Sequence, residues 1–305
     1  MKTVSKDGLN LRVFTVGKSR FLAYPECGAR LMSWHHTNNK EETCELITWP
    51  ASAPLDRKTI GKVRGGNPVL FPFSARTFCE KELGFWKASD GVRRPMQVHG
   101  YARNGDFELV SISEEGFSAR FLPGSDCQAA YPYAYRFTVH YRFFESGLEV
   151  EFELENQDEV PIPWSAGHHF YFAMPAVKRR DFRYQIDAAS AFKHGTDGAL
   201  IEQNAPSTVG RFDEADLSDR IHTGLKDATV CFGPFCDGQD LNIRIEQPNP
   251  PHPWTAVVTW TESETSPFYC VEPWMGPPNS PEHGKGLHLV APREIDRFRV
   301  SISLK

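Results

Sequence analysis

Alternation of apolar and polar residues along much of the chain predicts β-strands. In GLEVEFELEN (147–156), charged residues alternate with Leu148, Val150, Phe152 and Leu154. Successive side chains of a strand point to opposite faces, so this pattern fits antiparallel strands with one buried and one solvated face. The same alternation recurs in five further segments: DLNIRIEQ (240–247), IDRFRVSISL (295–304), FELVSIS (107–113), FSARFL (117–122) and YRFTVHYRFF (135–144).

Helical periodicity is almost absent from the chain. We expect only short helical turns, near Glu80–Lys87, and the 23 glycines and 23 prolines divide the sequence into short segments. The pattern therefore predicts an all-β fold, a large antiparallel β-sandwich. The polar stretch PAVKRRDF (175–182) is the best candidate for a linker, but strand-like RYQIDA follows it directly. We interpret it as a loop and expect one domain over residues 1–305.

The composition is that of an ordinary globular protein. Among 305 residues, 40% are hydrophobic and 24% are charged, with a formal net charge of −5. Nucleic acids and anionic membranes favour basic surfaces, so the negative charge argues against both as partners. The N-terminal MKTVSKDGLNLRVF lacks the apolar core of a secretory signal, and no run approaches the roughly 18 apolar residues of a membrane span. We expect a cytoplasmic protein.

Seven cysteines are scattered along the chain. In a reducing cytoplasm they would remain free thiols, which is our expectation for all seven. Cys231 and Cys236 flank a short FGPF loop, but no second pair of cysteines completes a zinc site. We therefore expect no metal. No phosphate-binding GxxxxGK[ST], GxGxxG before a helix, GxSxG or HExxH motif occurs, so we also expect no cofactor.

Candidate chemistry lies where polar side chains interrupt apolar, strand-like runs. Four stretches have this property: RGGNPVLFPFSAR (64–76), QVHGYARNGDFEL (97–109), SAGHHFYF (165–172) and YCVEPWMGPPNS (269–280). In the last of them, Glu272 is costly to bury unless it is paired or its pKa is raised. A raised pKa suits a general base, whereas a structural carboxylate satisfied by an arginine or by backbone amides is the alternative.

The adjacent histidines of SAGHHFYF should face opposite sides of a strand. His169 then shares a face with Tyr171, and this amphipathic face suits a solvated cleft. His168 shares the other face with Phe170 and Phe172, which predicts a hydrogen-bonded packing role. A structural role for both histidines remains the alternative at this stage.

Two further side chains are candidates for substrate binding. The glycine after His99 in HGYAR allows close approach of a ligand or of a second strand, although a histidine that caps a turn is the simpler interpretation. Arg76 ends FPFSAR, and its guanidinium could hold sugar hydroxyls or a carboxylate. A salt bridge is the alternative for Arg76.

Taken together and in this order, the four stretches resemble the aldose 1-epimerase (mutarotase) superfamily. The resemblance spans about residues 20–300 and includes the early FLAYPECGARLMSW, which is similar to the opening strands of that family. Four motifs carry it: HGYAR is similar to HGFAR, HFYF to HxYF, CVEPWMGPPN to EPW-x-GPPN, and PVLFPFSAR to PxLFPxxNR. SDRIHTG (218–224) is a fifth, weaker match. The resemblance implies a galactose mutarotase-like fold, the supersandwich, with a sugar cleft across one sheet.

The resemblance also implies roles for individual residues. His169 becomes the general acid and Glu272 the general base, with no cofactor or metal. His99, Arg76 and Asp219 become sugar-binding residues. Trp274, and with it Trp164, is a candidate to cover an apolar face of the sugar ring, although core packing is the alternative for both tryptophans.

Three departures from the family pattern leave the sugar specificity open. Ala75 replaces an asparagine that often precedes the family's arginine, so one hydrogen bond to the sugar is lost. His168 stands where many galactose mutarotases have asparagine, and Tyr101 replaces the usual phenylalanine. The expected acid and base are both retained.

Anomer exchange needs only the residue types seen here. A base removes the proton of the C1 hydroxyl while an acid protonates the ring oxygen, the C1–O5 bond opens, and the ring recloses on the other face. The expected function is thus an aldose 1-epimerase acting on a hexose. One alternative is a hexose-6-phosphate 1-epimerase, because RGGNP resembles the RGGIP of that branch and Arg64, Arg103 or Lys62 could bind phosphate. The other is a non-catalytic carbohydrate-binding β-sandwich.

Overall fold

The structure, a computed structural model, describes residues 1–54, 56–246 and 252–305. Within these residues it contains 26 β-strands and two short α-helices, α1 (Ser125–Ala130) and α2 (Ser280–His283). Four 3-10 turns add to them, and one of these, Ala176–Asp181, occupies the segment interpreted as a loop. None of the described helices is long and apolar enough to cross a membrane.

The strands are short to medium in length and follow one another with brief connections. The first thirteen are β1 (Lys2–Lys6), β2 (Leu9–Val16), β3 (Ser19–Tyr24), β4 (Arg30–Thr37), β5 (Thr43–Ile47), β6 (Val69–Leu70), β7 (Phe78–Cys79), β8 (Glu82–Leu83), β9 (Phe85–Lys87), β10 (Arg93–Pro95), β11 (Asp106–Ile112), β12 (Gly116–Leu122) and β13 (Tyr135–Phe144). The other thirteen are β14 (Gly147–Asn156), β15 (Ile162–Trp164), β16 (Gly167–His168), β17 (Tyr171–Ala173), β18 (Arg183–His194), β19 (Leu200–Glu202), β20 (Val209–Arg211), β21 (Arg220–Gly233), β22 (Leu241–Glu246), β23 (Ala256–Trp260), β24 (Phe268–Trp274), β25 (His288–Val290) and β26 (Ile295–Leu304).

Antiparallel pairing joins most of these strands into two runs that share one strand. The first run has the order β1-β2-β3-β4-β5-β17-β24-β23-β21. The second continues as β21-β22-β26-β14-β13-β12-β11. Residues 220–223 of β21 pair with β23, and residues 229–232 pair with β22. The predicted all-β, antiparallel fold is therefore confirmed.

The alternation read from the sequence identifies the long strands closely. The segment 147–156 is β14, and its four apolar side chains are at most 1% exposed. The segments 295–304 and 135–144 are β26 and β13, and 240–246 contains β22, while residue 247 lies outside the described part of the chain. The helical turn expected near Glu80–Lys87 is wrong. The short strands β8 and β9 occupy this region, because β9 pairs with β10 and β8 with β7.

Two of the seven cysteines do not match the prediction of free thiols. Cys44 and Cys236 form a disulfide between β5 and the turn after β21, with Cα atoms 5.9 Å apart. They are separated by 192 residues, so their proximity follows from the tertiary fold and leaves no trace in the spacing of the sequence. The five others are free, as predicted, and four of them are buried.

Candidate active site

The two adjacent histidines point to opposite sides of the sheet. The His168 ring is fully buried, and its centroid lies 4.0 Å from that of Phe152 in the core. The His169 ring stacks on Tyr171 with 4.7 Å between centroids and lines a cavity. The alternation thus predicts the two orientations correctly, although the chain forms two short strands here, β16 and β17, in place of one.

Asn67 fixes the backbone where it passes from His168 to His169. Its Oδ1 accepts the His169 backbone N–H at 3.0 Å, and its Nδ2 lies 3.1 Å from His168 Nδ1. The same Nδ2 donates to the Tyr141 hydroxyl at 2.7 Å. Asn67 is fully buried, and sequence reasoning does not identify it. The feature of the sequence that could have indicated it is an asparagine that follows two glycines and precedes an apolar run. A buried amide at such a position needs several hydrogen-bond partners.

Glu272 faces His169 from the neighbouring strand β24. Its Oε2 lies 3.5 Å from His169 Nε2, and the Glu272 side chain is almost completely buried. Because side chains alternate along β24, Cys270, Glu272 and Trp274 share the face that looks toward the site. The Trp274 indole Nε1 donates to the His168 carbonyl at 3.1 Å, which fixes the ring that lines the cavity.

His99 reaches the same place from a tight turn. His99 and Gly100 both have positive φ, 65° and 69°. The backbone N–H of Ala75 donates to His99 Nδ1 at 3.0 Å, so Nδ1 carries a lone pair and Nε2 carries the proton of the neutral ring. The His99 ring lies 5.4 Å from the His169 ring, between centroids. His99 is therefore a fixed hydrogen-bond donor beside the histidine–glutamate pair.

These side chains surround a cavity of about 600 Å³. The sequence identified six of its residues as candidates, namely His169, Glu272, His99, Arg76, Asp219 and Trp274. Pockets of 300–1,000 Å³ are typical of small-molecule sites, and a hexose fits within this range. The predicted site residues, which are distant in sequence, therefore meet in one place.

Arg76 and Asp219 lie at the solvent side of the cavity. Arg76 is exposed and forms no ion pair or hydrogen bond with another described residue, so the alternative of a salt bridge is wrong. Asp219 is also exposed, with φ of 60°. Partial desolvation raises the pKa of Asp219, and the positive charges of Lys193 and Arg76 oppose this shift. Both side chains are available to hydroxyl groups of a ligand.

Burial disfavours charge on the inner groups. It raises the pKa of Glu272 well above its ordinary value, and the negative charge of Asp219 adds to the shift. It lowers the pKa of His169, as do the neighbouring His99 and Arg64. Burial also lowers the pKa of His99 to about 3, which agrees with the neutral tautomer defined by its hydrogen bond.

His169 and Glu272 can together hold one transferable proton. Burial shifts both pKa values toward the uncharged forms, so the pair carries one transferable proton between its two groups. With the proton on the imidazole, the pair presents one acid and one base to a ligand lying across both groups. With one proton between them, one group can protonate the sugar while the other removes a proton from it.

Nine residues of the cavity lining were not among the predicted catalytic and sugar-binding residues, and four of these nine have polar or aromatic side chains. The sequence suggests Arg64 only as a phosphate ligand, and its guanidinium lies over the Trp260 ring, 5.2 Å from the centroid, with Nε 3.2 Å from Glu262 Oε1. Lys193 and His194 end β18 and reach the cavity together with Trp260. Little in the sequence indicates these positions, because β18 carries no motif and its residues reach the cavity through tertiary packing.

Three other candidates lie outside the cavity lining. Trp164 is fully buried in the core and donates through Nε1 to Asp296 Oδ2 at 2.9 Å, so the idea that it covers a sugar ring is wrong. Lys62 is exposed elsewhere. Arg103 lies close enough to lower the pKa values of His99 and His169, but it does not line the cavity.

One group of potential metal ligands lies at the site. His169, Cys270 and Glu272 each contribute a ligand atom, and these atoms all lie within 4.8 Å of one another. A second group, His140, Glu151 and Glu153, lies on β13 and β14, where hydrogen bonds from Arg299 and Arg297 occupy both carboxylates. Of these two groups, the first is the one beside the cavity.

Several solved structures have the same fold as this chain. The galactose mutarotase related enzyme of Lactobacillus acidophilus superimposes with a TM-score of 0.77 over 97% of both chains, at 19% identity. The Slr1438 protein of Synechocystis gives 0.78 over 100% of this chain and 99% of that one, at 17% identity. The GalM/aldose epimerase homologue of C. elegans gives 0.76 over 97% and 98%, at 12% identity. The fold is thus the galactose mutarotase-like β-sandwich.

Sequence comparison then identifies the family. The sequence model of the aldose 1-epimerase family matches residues 14–204, well over half of the chain. The chromosomal protein LacX of Lactococcus lactis subsp. lactis is 24% identical over 244 residues, which cover 73% of this chain and 78% of that protein. The chain belongs to the aldose 1-epimerase family, as the resemblance of its four motifs predicted.

Proposed function

We propose that the protein is an aldose 1-epimerase that interconverts the α and β anomers of a hexose. The observation that carries this proposal is the 3.5 Å approach of His169 Nε2 and Glu272 Oε2 at the wall of a cavity of about 600 Å³. Both groups face the space in which a pyranose fits. Family membership, with its implied isomerase activity, supports the same conclusion.

The reaction follows from the placement of these groups. In the form that has the transferable proton on His169, Glu272 accepts the proton of the C1 hydroxyl, and His169 protonates the ring oxygen as the C1–O5 bond breaks. The C1–C2 bond of the open aldehyde rotates by half a turn, and the ring recloses with the proton transfers reversed. All protons are returned, so no external donor or acceptor is consumed.

The remaining cavity residues bind and orient the sugar. His99 Nε2–H, held by the Ala75 hydrogen bond, stabilises negative charge that develops on oxygen during ring opening. Arg76 donates to hydroxyls and Asp219 accepts from them at the solvent side. Trp274 and Trp260 present ring faces or edges to the apolar side of the pyranose.

A second candidate substrate is the 6-phosphate of the hexose. Arg64, Arg76 and Lys193 all line the cavity, so three cations face the ligand in a protein of net charge −5. Of the three phosphate ligands suggested by the sequence, Arg64 is the candidate that this arrangement supports, whereas Lys62 and Arg103 lie outside the lining. Phosphate oxygens accept charge-assisted hydrogen bonds from such side chains.

Anomer exchange measured by NMR tests the proposal. Equilibrated glucose, galactose and glucose 6-phosphate are each incubated with the protein, and magnetisation transfer between the anomeric protons gives the exchange rate. We expect acceleration that falls by about 10²–10⁴-fold in His169→Asn and in Glu272→Gln. His35→Asn, on β4 outside the cavity lining, is the matched control and should keep the wild-type rate.

The same experiment separates the alternatives. Binding of these sugars without faster exchange would support a carbohydrate-binding β-sandwich and overturn the proposal. For a phosphorylated substrate, Arg64→Met should lower kcat/KM for glucose 6-phosphate at least tenfold more than for glucose. Arg57→Met, which removes an exposed arginine paired with Asp106, is its control and should change neither value.

A further inference from the structure

Cys270 is a buried thiol at the active site that the proposed proton transfers do not use. It precedes Glu272 by two residues on β24 and is fully buried. Its Sγ, a carboxylate oxygen of Glu272 and a ring nitrogen of His169 all lie within 4.8 Å of one another. A cysteine that only fills space in the core does not need to lie so close to both a carboxylate and an imidazole.

The three donor groups match the preferences of zinc. Thiolate sulfur, imidazole nitrogen and carboxylate oxygen are its usual ligands, at about 2.0–2.3 Å, so ligand atoms around a tetrahedral ion lie about 3.5 Å apart. The His169 Nε2 to Glu272 Oε2 distance of 3.5 Å already has this value. The Cys270 sulfur lies within 4.8 Å of the other two ligand atoms, and a movement of its side chain toward them completes the third corner.

The cavity gives an ion access to two of the three ligands. Glu272 Oε2 is buried and has no hydrogen-bond partner among the described residues. His169 and Glu272 line the cavity, so a water molecule can approach from that side as the fourth ligand. Three protein ligands with one open position are the arrangement found in accessible zinc sites.

We propose that His169, Cys270 and Glu272 form an inhibitory binding site for one Zn²⁺ ion. On binding, the Cys270 thiol releases its proton to solvent, His169 binds through neutral nitrogen, and Glu272 binds as carboxylate. The ion then occupies the two atoms that transfer protons to and from the sugar, so this role rests on the proposed function. Zinc therefore blocks epimerisation and competes with the sugar for the site.

Cobalt spectroscopy tests the site without reference to any sugar. The purified protein is freed of metals with a chelator and titrated with Co²⁺, whose bond to a thiolate gives a strong near-ultraviolet charge-transfer band. We expect a band that saturates at one Co²⁺ per chain and is reversed by one equivalent of Zn²⁺. Absence of a thiolate band at saturating Co²⁺ would overturn the proposal.

Substitutions assign the band to these ligands. Cys270→Ser should abolish it, and Glu272→Gln should retain it while weakening Co²⁺ binding at least tenfold. Cys231→Ser is the matched control, because Cys231 is the one free cysteine that is not buried, and its band should match that of wild type. A band that persists in Cys270→Ser and disappears in Cys231→Ser would contradict the assignment. Circular dichroism confirms that each variant is folded, and Cys270→Ala replaces Cys270→Ser should the latter not fold.

Inhibition is measured separately with the NMR exchange assay. Zn²⁺ should raise the apparent KM of the sugar in wild type, and at least tenfold more Zn²⁺ should be needed for the same effect in Cys270→Ser. Equal inhibition of both proteins would contradict an inhibitory role for this site. Should no sugar exchange faster, the proposed function fails, while the cobalt band still decides whether the metal site exists.

Discussion

The backbone N–H of Ala75 donates a 3.0 Å hydrogen bond to Nδ1 of His99, and both residues have positive φ. This bond keeps the imidazole neutral with its proton on Nε2, directed to the cavity. Ala75 stands where the family often has asparagine, a residue that tolerates the left-handed region far better than alanine. The protein thus accepts backbone strain at this position and leaves space in the cavity beside His99.

Relief of this strain should stabilise the protein. Ala75→Gly and Ala75→Asn should each raise the free energy of unfolding by about 0.5–1 kcal/mol, because both tolerate a φ of 60°. Ala75→Asn should also change KM for the sugar, since its amide enters the cavity, while Ala75→Gly should not. Chemical denaturation and the exchange assay measure the two effects. As a control, Ala119→Gly in β12 should lower the stability, and a loss of stability in both Ala75 variants would contradict the argument.

Gly100 is required for the turn that presents His99. Its φ is 69°, and a Cβ on Gly100 would lie 2.0 Å from the backbone oxygen of Phe71. Gly100→Ala should therefore lower the free energy of unfolding by about 3 kcal/mol or more and reduce exchange activity. Gly91 has a φ of 78°, and a Cβ on it would meet nothing within 4 Å, so Gly91→Ala should cost only about 1 kcal/mol and leave activity intact. Denaturation and the exchange assay compare the two variants, and equal losses in both would show that the clash does not matter.

Substitution of the two histidines should separate activity from stability. His168→Asn disturbs a fully buried ring next to Asn67 and should lower the free energy of unfolding by about 1–3 kcal/mol while the folded protein keeps most of its activity. His169→Asn should have the opposite profile, with activity lost and stability nearly unchanged. Thermal unfolding and NMR exchange on the same samples test this. Near-normal activity in His169→Asn with loss in His168→Asn would reverse the assignment.

Asp296 should make stability depend on acid pH. Its Oδ2 accepts from Trp164 Nε1 at 2.9 Å and lies 3.1 Å from His288 Nδ1, and its Oδ1 accepts the Arg297 N–H at 2.8 Å. Although burial opposes it, these bonds hold the pKa of Asp296 below its ordinary value. A carboxyl group whose pKa is lower in the folded than in the unfolded protein stabilises the fold at pH values above its unfolded pKa of about 3.9. This stabilisation is lost as the pH falls through the pKa of the folded state.

Asp296→Asn should thus lower the free energy of unfolding by about 1–2 kcal/mol at pH 7 and by less at pH 3. Urea denaturation at both pH values measures the difference. Asp158→Asn is the comparison variant, because Asp158 lies in an exposed loop and also has a lowered pKa. The backbone N–H of Ala134 makes the largest contribution to that shift, and further backbone N–H groups add to it. A loss for Asp296→Asn that is the same at both pH values would contradict the proposed linkage.

The sequence predicted the long strands because their patterns are local. Leu148, Val150, Phe152 and Leu154 must all face the core, and a shift of one residue would expose all four. The same alternation oriented His169 away from His168. The motifs supplied the remaining site residues, because each combines a required backbone shape with a polar side chain.

Other features depend on residues that are far apart in the chain. The disulfide between Cys44 and Cys236, the approach of Lys193 and His194 to the cavity, and the burial of Trp164 against Asp296 each arise from contacts between distant strands. A side chain of this kind looks the same in the sequence whether it lies in the core, at the surface or in a site. The spacing of hydrophobic residues along the sequence therefore does not show which of these three locations such a side chain takes.

For the long strands, the two-residue repeat is enough to predict the segment and its buried face, and the motifs are enough to identify most polar residues of the site, because both are local properties of the chain. The 3.5 Å distance between His169 Nε2 and Glu272 Oε2, the hydrogen bond by which Ala75 fixes the tautomer of His99, and the position of Cys270 beside them follow from the tertiary structure. These relationships depend on the register between β16, β17 and β24 and on long-range packing, which place atoms to within fractions of an ångström.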